Sequence, residues 1–145
     1  MELNVAGGKL DLAALRGWLA ETFGEEIAAF RHRLMVHEGS ATTCISILGG
    51  SDRPFIRVAS VVVEQPRVDD ALMHFLLTAN ESSTLYGAFS IDEDQDVWFS
   101  YRMPAEAVTP ESLRRVVLSV AKTADEYDDL IVGRWGGHRS IEPGR

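Results

Sequence analysis

Apolar residues in this chain switch repeatedly between a helical spacing of about 3.6 and a strand spacing of 2. The order of those switches restricts the fold more than any single residue does. LDLAALRGWLAETF (10–23) sets Leu12, Leu15, Leu19 and Phe23 at helical intervals beside Trp18, with Asp11 at the N-cap position. FRHRLMVH (30–37), TTCISIL (42–48) and FIRVASVVV (55–63) then alternate or are β-branched. The turn clusters HEGS and GGSD separate them, and Pro54 and Pro66 bracket the third. VDDALMHFLLTANE (68–81) returns to helical spacing, with Leu72, Phe75, Leu76 and Ala79 in one stripe and Met73 and Leu77 in a second. LYGAFSI and VWFSY alternate on either side of DEDQD. In TPESLRRVVLSVAKTADEYDDLIV (109–132), Thr109 is a good N-cap and Pro110 stands at the first helical position. Leu113, Val116, Val117, Val120, Ala124, Tyr127 and Ile131 form one long stripe, and Gly136 and Gly137 end it. The order α-β-β-β-α-β-β-α predicts an α+β fold, a five-stranded antiparallel sheet with helices packed mainly on one face. Residues 1–137 read as a single domain and 138–145 as a flexible tail.

Composition excludes several classes of function. The 145 residues carry a net charge of −8, which repels nucleic acid and anionic membranes alike. No apolar run approaches the ~20 residues that a membrane span needs. The N-terminal MELNVAGGKLDL has neither the basic start nor the apolar run of a signal peptide. Cys44 is the one cysteine, so there is no internal disulfide framework, and a reducing cytoplasm fits.

Candidate chemistry is sparse. Asp92, Asp94 and Asp96 alternate as in the start of a calcium loop. Counting from Asp92, however, the sixth position is Val97 rather than glycine and the twelfth is Met103 rather than glutamate. The stretch reads as the solvated tip of a hairpin, and no metal or other cofactor is expected. Cys44 lies mid-strand among apolar residues and reads as inert. His32, His37, His74 and His138 are dispersed, and the Gly-Gly pairs lack the lysine and spacing of a phosphate loop. Asp125, Asp128 and Asp129 read as the polar side of a helix. No nucleophile, base and oxyanion set stands out, so the expectation is a protein without catalytic residues.

The segment LMHFLLTANESSTLYGAFSIDEDQDVWFSYRMPAEAVTPESLRRVVLSVAKTADEYDDLI resembles the C-terminal half of YbjN-like domains. The shared features are a helix ending near Asn80, then Gly87, Ala88 and Phe89, the acidic turn Asp92 to Asp96, and a strand closing in Pro104. A helix opening Thr109-Pro110-Glu111 and reaching Ala124-Asp125 follows. RPFIRVASVVV also fits, so the likeness covers roughly residues 53–137. It implies the type III secretion chaperone-like fold, whose element order is the one read above. Chaperones of that fold are small, acidic, cytoplasmic and usually dimeric, and they hold extended client segments on sheet surface and sheet edge.

The expected function is therefore a non-enzymatic protein- or peptide-binding module, chaperone-like or regulatory. The alternatives are an enzyme with a site assembled from distant residues, or an operon-specific interaction or immunity partner. Alternation places Leu85, Gly87, Phe89 and Ile91 on one face of the hairpin with Val97, Phe99 and Tyr101. It places Tyr86, Ala88 and Ser90 on the other with Trp98, Ser100 and Arg102. Tyr86, Trp98 and Arg102 are thus the expected contacts for an extended client. Met73 and Leu77 are the expected contacts of a homodimer.

Overall fold

A computed structural model describes residues 3–5, 8–24, 27–30, 33–50 and 52–139, with the side chains of 3–5, 8–10 and Phe30 left aside. Strands β1 (Leu3–Val5) and β2 (Gly8–Leu10) pair with each other. Helix α1 (Leu12–Phe23) follows, its first turn closed by the Asp11 carboxylate, which accepts the Ala14 N–H at 2.8 Å. Then come β3 (Ala28–Phe30), β4 (Arg33–Glu38), β5 (Ala41–Leu48), β6 (Phe55–Val63), α2 (Asp70–Ser82), β7 (Ala88–Ile91), β8 (Val97–Pro104) and α3 (Pro110–Trp135).

The main sheet has six strands in the order β3-β4-β5-β6-β8-β7, and every neighbouring pair is antiparallel. Five were expected. The sixth, β3, hides in an alanine-rich stretch with little strand propensity, and pairing of Phe30 with Arg33 splits off what had read as the start of one continuous strand. β1 and β2 were likewise not anticipated. His32 lies outside the described residues.

All three helices pack on one face. Leu34, Val36, Ile45, Ile47, Ile56, Val58, Val97, Phe99 and Phe89 point to that side and join Leu15 and Leu19 of α1, Leu72 and Leu76 of α2, and the α3 stripe in one core. That stripe runs one turn further than its sequence reading, to the buried Trp135. The indole N–H of Trp135 is donated to Asp69 at 3.0 Å. The Asp69 carboxylate also accepts the Leu72 N–H as N-cap of α2. That backbone bond first, then Arg67 and Trp135, holds Asp69 below the usual carboxylate range. At the other end of α3, Thr109 and Ser112 form a reciprocal capping box around Pro110.

Two expectations about polar residues need correction. Asp128 does not belong to a solvated face: it is buried, accepts the Ser40 hydroxyl at 2.7 Å, and pairs with Arg139. With Asp125, which accepts the Ser40 N–H at 2.9 Å, it pins the β4–β5 turn to α3. The start of the expected tail is also held. His138 and Glu64 exchange backbone hydrogen bonds at 2.7 and 3.0 Å, and Arg139 pairs with Asp129. Residues 140–145 lie outside the described residues.

Candidate peptide-binding surface

Antiparallel register determines what the other face of the sheet carries. One row across the strands runs Arg33, Ser46, Arg57, Arg102; the next runs Met35, Cys44, Ala59, Ser100, Ala88. A third includes His37 and Thr42 at one side and Val61, Trp98 and Ser90 at the other. These side chains alternate with the core set, as the two-residue period of a strand requires. No carboxylate occupies any of these positions, although the chain has 22 acidic residues. Among the described residues no helix covers this face. We call it the open face. Met35, Cys44 and Ala59 are nonetheless buried at its centre.

Trp98 sits half-buried near the hairpin end of the open face. Its indole N–H is donated to the Asp92 carboxylate at 2.7 Å. The other Asp92 oxygen accepts the N–H groups of Asp94 and Asp96 at 3.0 and 2.9 Å. One aspartate thus folds the loop and aims the tryptophan. Asp96, fully buried, accepts both the backbone and side-chain N–H of Gln65 at 3.0 and 3.1 Å. The carboxylates of Asp92, Asp94 and Asp96 come within 4.8 Å of one another, but Asp92 and Asp96 are already engaged as acceptors inside the protein.

Arg57 was passed over in the sequence, yet its guanidinium lies 5.1 Å from the centre of the Trp98 ring. The two residues belong to rows four positions apart along the strands, ~13 Å. The arginine stem therefore crosses the small row of Ala59 and Ser100 to reach the indole. Burial first, then repulsion from Arg102, holds Arg57 below its ordinary range. A lone charged residue at an alternating position of FIRVASVVV was the available clue. Arg102 is exposed.

Tyr86 does not share this face with Trp98. β7 begins only at Ala88, and the chain turns sharply before it: Tyr86 has φ 54° and Gly87 φ 143°. A Cβ on Gly87 would come within 2.7 Å of the Phe99 ring, so only glycine lets the backbone pass there. Alternation cannot be extended through such a bend. The Tyr86 ring packs edge-on against Tyr101, centroids 6.1 Å apart, on the helix side. There it lines a cleft of about 310 Å³ with Met103, Thr109, Ser112 and Arg115. Leu85, expected inside, is exposed, and its carbonyl accepts the Ser119 hydroxyl of α3 at 2.7 Å.

The β7 edge of the sheet is occupied by a side chain. Along β7 the carboxamide of Asn80 accepts the Phe89 N–H at 2.6 Å and donates to the Phe89 carbonyl at 3.2 Å. It occupies the pair of groups that an added strand would use. Met73 and Leu77 stand on the outer side of α2, 41% and 68% exposed. Arg57, Asp69 and Asp125, whose titration is shifted, lie apart from the Tyr86 cleft.

The architecture has close counterparts among solved structures. The ExsC–ExsE complex matches with a TM-score of 0.62 at 15% identity, over 84% of this chain and 97% of the other. The ExoU–SpcU complex of the type III secretion system of Pseudomonas aeruginosa matches at 0.63 and 14%, over 81% and 97%. YbjN from E. coli matches at 0.59 and 16%, over 83% and 93%. At these identities the likeness is one of fold. A search of curated protein sequences finds no match. A family model described as T3SS (YopN, CesT) and YbjN peptide-binding chaperone 1 matches residues 13–143. With nearly the whole chain inside that match, and with its helices on one side of an antiparallel sheet, the protein belongs to the family of T3SS and YbjN peptide-binding chaperones.

Proposed function

We propose that this protein is a non-enzymatic, chaperone-like or regulatory module of the cytoplasm that holds an extended client segment against the open face of its sheet. The observation that carries this reading is a sheet face against which, among the described residues, no helix packs. Small and polar side chains dominate the cross-strand rows there, with one aromatic ring fixed by Asp92. A flat strip beside a rigid ring accommodates an extended chain, and such rings are frequent anchors of binding energy. Arg102 stands ready for a client carboxylate. Because Asn80 occupies the β7 edge, strand addition is not proposed there. Tyr86 belongs to the cleft under α3 and takes no part in this surface. The family description and the chaperone–effector neighbours support a protein or peptide as the partner. We further propose a homodimer through the exposed Met73 and Leu77 of α2.

The test is a client recovered by affinity capture, titrated against wild type and Trp98→Ala. Binding should weaken at least about tenfold, which corresponds to ~1.4 kcal/mol, with circular dichroism unchanged. Equal affinities at matched folds would remove this face from the function.

A further inference from the structure

The open face gathers arginines in a protein of net charge −8. Arg33, Arg57 and Arg102 occupy one cross-strand row, with Ser46 between the first two. Arg57 and Arg102 are direct partners on adjacent strands, whose axes are ~4.8 Å apart. Like charges so placed repel. Neither of these two makes an ion pair with any described carboxylate. Arg57 is instead turned over the Trp98 ring, where burial and Arg102 together depress its titration. A half-buried cation that meets a ring and a second cation, in a chain of net charge −8, is given no carboxylate partner among the described residues.

We propose that the client segment is acidic at one defined place: a carboxylate of an extended client docks at Arg102, on the near side of the Arg57 guanidinium, about four positions from an apolar side chain that meets Trp98. This rests on the peptide-binding reading above and specifies its ligand. The spacing follows from the sheet, since Trp98 and Arg102 are four residues apart on one strand and an extended client lying along it advances at the same ~3.3 Å per residue. Guanidinium groups bind carboxylates through paired, charge-assisted hydrogen bonds. Binding would supply Arg57 and Arg102 with the counter-charge that the fold withholds. A nucleic-acid backbone is the less suitable anion, because a long polyanion would also face the acidic remainder of the surface.

The probe is a fluorescein-labelled undecapeptide of Gly and Ser with a central phenylalanine and a glutamate four positions to either side, so that either chain direction is served. A second peptide carries glutamines in place of the glutamates. Anisotropy with the full chain should show the acidic peptide binding at least about tenfold more tightly, with a preference that shrinks in salt. Arg102→Gln and Arg57→Gln should each abolish most of the preference for the acidic peptide. Arg102→Glu should favour a lysine-substituted peptide instead. Arg102→Gln should melt no earlier than wild type, since it relieves a repulsion. Trp98-dependent binding of both peptides with equal affinity would overturn the acidic docking and leave the peptide-binding reading standing. If neither peptide shows Trp98-dependent binding at ~1 mM, both readings fall. Tighter binding of a single-stranded oligonucleotide than of the acidic peptide would also overturn the proposal.

Discussion

Phe99 and Trp98 are neighbours in β8, and they are held in opposite ways. Phe99 is fully buried, with the Phe89 ring 4.9 Å away and helices beyond it. Its position is fixed by packing from many directions. Among the described residues no helix packs on Trp98. Its orientation depends on one hydrogen bond from its indole to Asp92 and on one arginine laid across its ring. The comparison extends to the two faces as wholes. The covered face determines whether the chain folds, through redundant apolar contact. On the open face a few polar contacts set where an aromatic ring points.

The largest test of this contrast is paired truncation. Phe99→Ala should cost about 3–5 kcal/mol in urea unfolding. Trp98→Ala should cost roughly 1 kcal/mol, the scale of one hydrogen bond plus a partly exposed ring. Similar losses at both sites would mean that the open face is covered in solution. Next in size is Asn80→Ala, which strips the paired groups of Phe89 of their partner. It should lower stability by about 1–2 kcal/mol and increase self-association, read by light scattering at rising concentration. No change in either quantity would show that the β7 edge needs no guard. Third, wild type at ~100 μM should scatter as a dimer, and Met73→Glu with Leu77→Glu should scatter as a monomer with its melting curve cooperative. A 16.0 kDa wild-type particle would count against the dimer. The smallest expected effect is none: calorimetry with calcium should find no site tighter than ~10 μM at Asp92, Asp94 and Asp96, because Asp92 and Asp96 are committed to internal donors.

Where side-chain periodicity ran unbroken, the sequence was a sound guide. Asp11 and Thr109 cap their helices, β6 begins and ends where its β-branched run does, and the hairpin pairs Ile91 with Val97 as counted. Parity failed where the backbone leaves the strand. Gly87 turns the chain, so counting back from Ala88 to Tyr86 put that ring on the wrong side. β3 was missed because three residues in an alanine-rich stretch carry no period. The site was half legible. Trp98 and Arg102 follow from alternation on one strand, whereas Arg57, Asp92 and Asn80 acquire their roles only from neighbours brought across the sheet or from the helix beside it.

The length of α3 has a mechanical consequence. Its 26 residues extend ~39 Å, and it lies against β4, β5, β6 and β8, whose combined width is much less. A beam longer than the sheet it backs resists changes in the twist of that sheet. The surface proposed for the client is thus braced from behind by α3. Ordering on association then falls almost wholly on the incoming segment, and little affinity is lost to quieting the host.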